Sequence, residues 1–465
     1  MKIKDVNARQ ILDSRGNPTV ECEVIAKSEK RKAKSYGASG GFRDKDTIVG
    51  VASVPSGAST GSHEALELRD GEMVHFWGKG VQKAVDKVER VIGPALLGME
   101  VTEQEQIDRR MIELDGTENK SELGANAILA VSLACARAAA EAEGLWLFEY
   151  LSRVRLTPPN PPLNKGGNRS LRFPLHKEGD YSLPIPFMNV INGGKHAVDG
   201  VDFQEFMIVP QGFDSFAEAL ESGTEVFMKL KEILHQDGFQ TLVGDEGGFA
   251  PAFNTNEQAL EYLVRVIEEA GFKPGEQIGL AMDPAVSELF NKQTGKYELK
   301  KEGLSLDAKG IVDYWQGLLD RFPIVSIEDG LDQDAWEDWQ IMTKRLGDRV
   351  QLVGDDFLVT NAKRLQRAID EQACNAILIK LNQIGTVSET IDVINMAQKN
   401  GFRCMVSHRS GETEDTFIAD LAVGMGTGQI KAGSLSRSER VAKYNRLLKI
   451  EEQLGERAKF GKLII

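Results

Sequence analysis

Residues 351–385, QLVGDDFLVTNAKRLQRAIDEQACNAILIKLNQIG, contain two short apolar runs separated by an amphipathic stretch. The first run ends in Asp355 and the second in Lys380, 25 residues further on. An interval of this size fits a strand, a helix and two loops. The segment therefore predicts a β-α-β unit in which each strand ends in a charged side chain.

The same alternation begins at about residue 183 and continues through the rest of the chain. Eight apolar runs end in polar or charged residues, at intervals of 23 to 45 residues. Eight such units form a (β/α)₈ barrel, whose active site lies at the C-terminal ends of the strands. An open doubly wound sheet is the alternative, but it usually carries its site at one crevice. The pattern favours the barrel, with these residues at its mouth: Glu205, Glu246, Asp283, Glu328, Asp355, Lys380, His408 and Lys431.

The N-terminal part of the chain has a different pattern. Strands are predicted over residues 3–26 and 48–54, around a turn at Gly16-Asn17-Pro18, and helices over residues 80–97, 103–114 and 125–143. Strands followed by helices suggest a small α+β domain. We therefore expect an α+β domain at residues 1–150, a linker at 151–182 and a barrel at 183–465.

Two segments interrupt these patterns. Residues 157–180 hold five of the chain's 15 prolines and three glycines, so they can neither extend a helix nor join the middle of a sheet. Residues 28–46 are basic and rich in glycine and serine, and they fall at a predicted hairpin tip. Both are predicted to be exposed insertions, and a role in partner binding is left open for each.

The composition limits the possible partners and location. A formal net charge of −14 at pH 7 argues against nucleic acid or an anionic membrane as a partner. No signal peptide or apolar run of membrane-spanning length is evident, and the four cysteines are scattered. A reducing cytoplasm fits best. An anionic substrate would need a local cluster of cations or a bound metal.

Asp283, Glu328 and Asp355 end three consecutive predicted strands. Two unit charges 4 Å apart repel by about 4 kcal/mol at an effective dielectric constant of about 20, so a cation is expected between these carboxylates. Ligand sets made only of oxygen favour a hard ion such as Mg²⁺. The alternative is that they are surface carboxylates that cap the following helices.

Lys380 lies inside the apolar run AILIKLNQIG. Burial of its charge is costly without a partner, and nearby metal ions and Lys431 should lower its pKa towards the range of a general base. A lysine whose ammonium group reaches water is the alternative. Two loops add to the site. VPSGASTGSHEA (54–65) fits a mobile lid, with an ordinary turn as the alternative, and SHRSGETED (407–415) offers donors for a phosphate.

Seven motifs together resemble the enolase family: DSRGNPTVE, VPSGASTG, FQEFMI, VGDEGG, LIKLNQIGT, SHRSGETED and GQIKAGSLSRSER. The similarity covers roughly residues 3–27, 48–156 and 182–452. It implies a barrel of enolase type behind an N-terminal α+β domain, and the reversible magnesium-dependent dehydration of 2-phospho-D-glycerate to phosphoenolpyruvate in glycolysis and gluconeogenesis. It also implies two Mg²⁺ ions per active site, a homo-oligomer (a dimer or an octamer of dimers), and a cytoplasmic protein with a possible surface or secreted pool.

The resemblance also implies roles for individual residues. Lys380 would remove the C2 proton, and Glu246 would assist loss of the 3-hydroxyl. The first Mg²⁺ would be held by Asp283, Glu328 and Asp355, and the second with the help of Ser59. The substrate pocket would be lined by His196, Gln204, Glu205, His408, Arg409, Ser410 and Lys431.

The sequence departs from the family pattern at Gly330, where a proline is usual, at Pro284 directly after Asp283, and in the two insertions. None of these changes removes a catalytic group. Three other functions stay open: another branch of the same superfamily, which would favour a Lys-x-Lys pair, a barrel glycosidase with paired carboxylates, and an enolase-like scaffold that only binds.

The proline-rich segment supports a direct test. Replacement of residues 158–178 by a short Gly/Ser linker should leave turnover nearly unchanged, because an exposed insertion contributes no group to the barrel mouth. Steady-state kinetics of the two proteins would measure this. A large loss of turnover would mean that the segment is a functional element.

Overall fold

The structure is a computed structural model, and it describes residues 1–28, 46–57, 61–156, 181–196 and 200–463. The two predicted insertions therefore lie almost wholly outside the described residues. The centre of the predicted lid, residues 58–60, lies outside them too.

The N-terminal region contains an antiparallel three-stranded sheet in the order β1-β2-β3, followed by helices. Gly16, with φ of 73°, lies in the turn between β1 and β2, a left-handed conformation that glycine adopts without strain. The chain continues from α1 to α2 through one π-helical segment, Val88–Ile92. The elements are β1 (Lys2–Leu12), β2 (Pro18–Lys27), β3 (Thr47–Ser53), α1 (Gln82–Lys87), α2 (Gly93–Leu96), α3 (Gln104–Asp115), α4 (Ala125–Glu143) and α5 (Leu147–Leu156).

Helix α4 is the centre of this region. It is alanine-rich and packs against β2 and β3, with a free cysteine, Cys135, buried in it. By length and composition α4 is apolar enough to cross a membrane, which the sequence analysis did not recognise, but 83% of its apolar window is buried inside the protein. It is therefore a core helix.

Eight strands close into a barrel in the order β11-β12-β13-β14-β15-β5-β6-β7, which confirms the predicted barrel. Its interior is filled by apolar side chains such as Phe187, Val209 and Leu378. The barrel strands are β5 (Ile185–Asn192), β6 (Glu205–Pro210), β7 (Ile278–Asp283), β11 (Ile324–Glu328), β12 (Gln351–Gly354), β13 (Ala376–Ile379), β14 (Arg403–Ser407) and β15 (Gly428–Lys431).

Short strands and helices surround the barrel. A two-stranded sheet pairs β4 with β16, and β8, β9 and β10 form a small antiparallel sheet. These strands are β4 (Tyr181–Leu183), β8 (Phe290–Asn291), β9 (Lys296–Leu299), β10 (Leu304–Leu306) and β16 (Ala458–Phe460). The helices are α6 (Phe216–Gln236), α7 (Asn256–Glu269), α8 (Ala308–Leu319), α9 (Trp336–Leu346), α10 (Ala362–Glu371), α11 (Leu381–Ile384), α12 (Val387–Lys399), α13 (Phe417–Met425) and α14 (Ser438–Leu454).

Side-chain caps determine where many of these helices begin. In each case a short polar side chain accepts a hydrogen bond from a backbone N–H of the first turn, which would otherwise be unpaired. Of the helices that follow these caps, α6, α7 and α12 pack on barrel strands. The capping residues are Ser215, Thr255, Asp307, Asn361 and Thr386.

The barrel is not a simple repeat of eight β/α units, and this corrects two assignments. β6 runs antiparallel to both β5 and β7. Glu205 therefore lies at the start of β6, and it reaches the same mouth as Asp283, its partner in the register. Glu246 does not end a barrel strand. It lies in a loop whose Val243 makes only an isolated bridge to Phe249, and the missing strand is β5.

Close packing between β3 and α4 gives a prediction. A Cβ added to Gly50 would lie 2.1 Å from the carbonyl oxygen of Ala134 and 2.6 Å from the amide nitrogen of Ala138. Gly50→Val should lower the midpoint of thermal unfolding by roughly 4 °C or more, since overpacking costs about 1–3 kcal/mol.

Gly317 is the matched control, because a Cβ added there in α8 would meet no atom within 4 Å. Gly317→Ala should leave the midpoint unchanged or raise it. An unchanged midpoint in Gly50→Val would mean that α4 does not pack on β3 at this distance.

Candidate active site

The ends of consecutive barrel strands bring charged side chains to one pocket. Asp283 and Glu328 are the last residues of β7 and β11, and Asp355 follows β12. Lys380 and His408 follow β13 and β14, and Lys431 ends β15. The pocket is lined by Gln204, Glu205, Glu246, Asp283, Ala285, Asp329, Asp355, Asp356, Lys380, Ser407, His408, Arg409, Ser410 and Lys431.

Lys431 holds one group of carboxylates together. Its Nζ donates to Asp283 Oδ2 and Glu328 Oε1, both at 2.9 Å, and lies 3.2 Å from Glu205 Oε1. Burial by itself would lower the pKa of Lys431, but Asp283, Glu205 and Glu328 together raise it well above its usual value. Burial and the charge of Asp283 raise the pKa of Glu328, although Lys431 opposes this. One cation is therefore shared by three buried carboxylates.

Lys380 is paired with Asp355. Its Nζ donates to Asp355 Oδ2, while Gln383 Nε2 donates to Asp355 Oδ1 at 2.9 Å. Burial disfavours ionisation of Asp355, but Lys380 outweighs it and lowers the pKa of Asp355. Burial likewise opposes the charge of Lys380, but Asp355 raises the pKa of the lysine above its usual value. In this arrangement the nearest partner of Lys380 is an anion, and the low pKa expected for Lys380 beside metal ions stays a prediction.

Glu246 lies across the pocket on a different element. Asn189 Nδ2, from β5, donates to Glu246 Oε2 at 3.0 Å. His408 Nε2 lies 3.7 Å from the same oxygen. Gly247, with φ of 89°, follows Glu246, and a Cβ there would lie 2.5 Å from the carbonyl oxygen of Ser436. The glycine therefore lets this loop pack closely against the chain that follows β15.

The loop after β14 carries Arg409 and Ser410. Arg409 is buried, and its Nη1 donates to Glu64 Oε2 at 2.9 Å and to Asn382 Oδ1 at 2.8 Å. Burial opposes the charge of Arg409, but Glu64 raises its pKa. Glu64 belongs to the predicted lid, so this pair connects residues 61–65 to the barrel mouth. Ser410 is half-buried at the pocket.

Two predicted residues cannot be placed in the site. Ser59 lies outside the described residues, and so does the side chain of His196, which ends the short 3₁₀ helix Gly194–His196. Gln204 lines the pocket directly before β6.

The sequence analysis missed several residues that position the site. Asp329 Oδ1 and Oδ2 accept the amide N–H groups of Asp355 and Asp356 at 2.9 and 2.7 Å, which joins the loops after β11 and β12. Asp329 has a φ of 43°. At Gly330, where the family usually has a proline, the carbonyl oxygen accepts a hydrogen bond from Trp315 Nε1 at 2.9 Å, which holds the loop after Glu328.

The donor set suits a divalent cation. Among the described residues, Glu205 Oε2 and Glu328 Oε2 are buried and have no hydrogen-bond partner. Unpaired buried carboxylate oxygens are costly, and hard cations prefer such ligands. The side-chain cations at the pocket are Lys380, Arg409 and Lys431, and a larger number of carboxylates faces them, so that a further cation would balance the excess negative charge. These carboxylates are Glu205, Glu246, Asp283, Glu328, Asp329, Asp355 and Asp356.

Among the described residues, the groups of potential ligand atoms that lie within 4.8 Å of one another differ from the predicted triplet. They are Glu205 with Glu246 and His408, and Asp329 with Asp355 and Asp356. In the predicted triplet, Lys431 forms ion pairs with Asp283 and Glu328, and Lys380 forms one with Asp355. The lysines therefore occupy positions where a cation would compete with them.

Comparison with known families decides between the open interpretations. Residues 3–151 match the family model described as "Enolase, N-terminal domain", and residues 180–463 match "Enolase, C-terminal TIM barrel domain". The chain belongs to the enolase family. Enolases are phosphopyruvate hydratases, lyases that interconvert 2-phosphoglycerate and phosphoenolpyruvate and require metal. This assignment takes precedence over a barrel glycosidase, another superfamily branch or an open doubly wound sheet.

The shared cation in this enolase gives a prediction. Lys431→Met should lower the metal-free thermal unfolding midpoint by roughly 5 °C or more, because three buried carboxylates lose their common partner. A divalent cation should restore more stability to this variant than to the parent protein. Differential scanning calorimetry with and without chelator would measure both, with the exposed Lys309→Met as control.

The three carboxylates that Lys431 binds determine how the stability of Lys431→Met depends on pH. Without Lys431, the folded carboxylates would hold protons that the unfolded chain has already lost above its usual carboxylate pKa of about 4.3. The folded state then binds more protons, so its stability falls as pH rises. The loss of stability in Lys431→Met relative to the parent protein should therefore be larger at pH 8 than at pH 5. An equal loss of stability at both pH values would contradict the shared ion pair.

Proposed function

We propose that this pocket dehydrates 2-phospho-D-glycerate with Lys380 as the base at C2 and Glu246 as the acid at the 3-hydroxyl. The observation that supports this most strongly is the separation of the two groups. Lys380 follows β13, whereas Glu246 lies in the loop after β6 and α6 and is held by Asn189. An amine and a carboxyl group on different elements of one pocket can act on two different carbons of one small substrate.

We propose that Asp283, Glu328 and Asp355 hold one Mg²⁺, and that Ser59, outside the described residues, helps to hold a second. When bound, the ions would supply positive charge that stabilises the negative charge developing on the substrate carboxylate. If Asp355 binds a metal ion, its interaction with Lys380 becomes weaker. Engagement of Asp355 would therefore remove the main interaction that raises the pKa of Lys380.

The first step is then proton abstraction. Deprotonated Lys380 takes the C2 proton, and the C–H electron pair moves into the carboxylate to form an enolate. Lys431 and Arg409 contribute to this step without themselves changing protonation, because both add positive charge near Lys380 and thereby favour its neutral form. Lys380 keeps this proton until the reverse reaction returns it to C2 or until the proton is released to solvent.

In the second step the enolate electrons return to form the C2–C3 double bond, and the 3-hydroxyl leaves as water with a proton from Glu246. Asn189 fixes one carboxyl oxygen of Glu246 by a hydrogen bond from its side-chain amide. Arg409, Ser410 and Lys431 would bind the phosphate and carboxylate ends, and His196, Gln204, Glu205 and His408 would complete the pocket. A net-acidic protein would thus bind an anion through local cations and metal.

The remaining parts of the proposal concern organisation. We propose a domain at residues 1–150 with its lid at 54–65, a linker at 151–182 and a catalytic barrel at 183–465. We further propose a homo-oligomer, at least a dimer, in the cytoplasm. The buried cysteines agree with a reducing compartment, because all four are free thiols.

Isotope exchange tests the assignment of acid and base. Glu246→Gln keeps the shape of the side chain and loses the acid, so this variant should exchange the C2 hydrogen of 2-phosphoglycerate in heavy water while making little phosphoenolpyruvate. Lys380→Ala should do neither. Each loss should be about 10²–10⁴-fold, the usual contribution of a positioned acid or base. Proton NMR of the substrate would follow exchange, and product formation would follow dehydration.

Two results would contradict this assignment. Exchange retained in Lys380→Ala and lost in Glu246→Gln would reverse the two roles. Equal exchange in both variants would mean that neither residue is the base at C2.

A further inference from the structure

Arg440 lies beneath the pocket and connects two of its loops. This residue of α14 has no exposed surface. Its Nη1 donates to His408 Nδ1 at 2.5 Å and to the carbonyl oxygen of Arg409 at 2.6 Å. Its Nη2 donates to the carbonyl oxygens of Ser410 at 2.6 Å and Asp245 at 3.1 Å. One guanidinium group therefore holds the His408–Ser410 loop and the residue before Glu246.

The contact with His408 determines where the imidazole carries its proton. A guanidinium group has only donors, so Nδ1 of His408 must accept. A neutral imidazole that accepts at Nδ1 carries its hydrogen on Nε2. That nitrogen is the one that lies 3.7 Å from Glu246 Oε2. His408 therefore presents an N–H group, and not a lone pair, to the carboxyl group of Glu246.

The surroundings of His408 favour the neutral ring. Burial is the main cause that lowers the pKa of His408 well below its usual value, and Glu246 is the anion that opposes this. Three cations from three other elements add to the lowering: Arg440, Lys431 and Lys380. The ring is therefore expected to stay neutral at and above neutral pH.

The same contact bears on metal binding. Glu205, Glu246 and His408 bring one potential ligand atom each to within 4.8 Å of one another. A nitrogen that carries hydrogen has no lone pair to give to a metal. With Nδ1 occupied by Arg440 and a hydrogen on Nε2, His408 has no nitrogen left for a metal in this group.

We propose that Arg440 is a positioning residue that sets the Nε2–H tautomer of His408 and directs this hydrogen at Glu246. The effect on catalysis rests on the proposed role of Glu246 as the acid, but the tautomer itself does not. Arg440 also donates to the carbonyl oxygen of Asp245, the residue before Glu246. One side chain therefore fixes His408 and Glu246 relative to each other.

The tautomer can be read in the unaltered protein. With ¹⁵N-labelled histidine, the His408 signals can be assigned among the six histidines by their loss in His408→Gln. The chemical shifts should identify Nε2 as protonated and Nδ1 as unprotonated, without titration between about pH 6 and 9. A protonated Nδ1, or a ring that titrates in this range, would overturn the proposal whatever reaction the enzyme catalyses.

Variants test the consequence for catalysis. Arg440→Met removes the donors, so His408 should populate the other tautomer. At saturating substrate, phosphoenolpyruvate formation should fall by about 10-fold or more in kcat and C2 exchange by much less, because the acid Glu246 loses its oriented donor while Lys380 keeps its partner. KM should rise in both assays, because Arg440 also holds the loop that carries Arg409 and Ser410. Guanidinium ion added to the solution should restore part of the loss, and Arg440→Lys should lie between the two proteins.

Lys443 provides the matched control. It is a buried cation on the same helix, and it donates to Glu412 Oε2 at 2.8 Å without contacting His408. Lys443→Met should leave the tautomer intact and change exchange and dehydration by the same factor. The proposal would be wrong if Arg440→Met kept the Nε2–H tautomer, or if it reduced both steps equally. Should Arg440→Met fail to fold, the spectrum of the unaltered protein and Arg440→Lys still decide the matter.

Discussion

Buried negative charge at the barrel mouth is the constraint on which the rest of the structure depends. Carboxylates outnumber cations at this pocket, and two lysines, Lys380 and Lys431, bind four of the carboxylates directly. Each lysine is stabilised in its charged form by the anions around it. In this pocket a metal cation and a lysine therefore compete for the same carboxylate oxygens. Catalysis requires that Asp355 release Lys380, because Lys380 must lose its proton to act as a base and Asp355 stabilises its protonated form.

The fold supplies this arrangement through the direction of its strands. Parallel strands bring their C-terminal ends to one mouth, which places Asp283, Glu328 and Lys431 close together. The antiparallel β6 adds its first residue, Glu205, to the same mouth. Buried groups such as Asp329 and Arg440 then hold the loops by hydrogen bonds to their backbone. Lys380 thus follows a barrel strand, whereas Glu246 lies in a loop and is oriented by a hydrogen bond from Asn189.

Much of this could be predicted from the sequence, because each of six barrel strands ends in a polar residue after an apolar run. β5 could not be recognised in this way because it ends in Asn192 and not in a charged residue. Glu246 was assigned to a strand because LVGDEGG begins with an apolar pair, although Val243 makes only one bridge. A sequence in which strands and helices alternate does not show which way each strand runs, so the antiparallel orientation of β6 could not be predicted. The partners of Lys380 and Arg440 depend on contacts between residues 25 and 32 positions apart, which spacing alone does not reveal.

The location of the metal tests the central claim most directly. Crystals grown with Mn²⁺ in place of Mg²⁺ allow the ion to be found from its anomalous scattering. The account predicts a peak in contact with oxygens of Asp283, Glu328 and Asp355, with Lys380 Nζ displaced from Asp355. A peak on Asp329 and Asp356, or on Glu205, Glu246 and His408, with the bonds of both lysines unchanged, would contradict it.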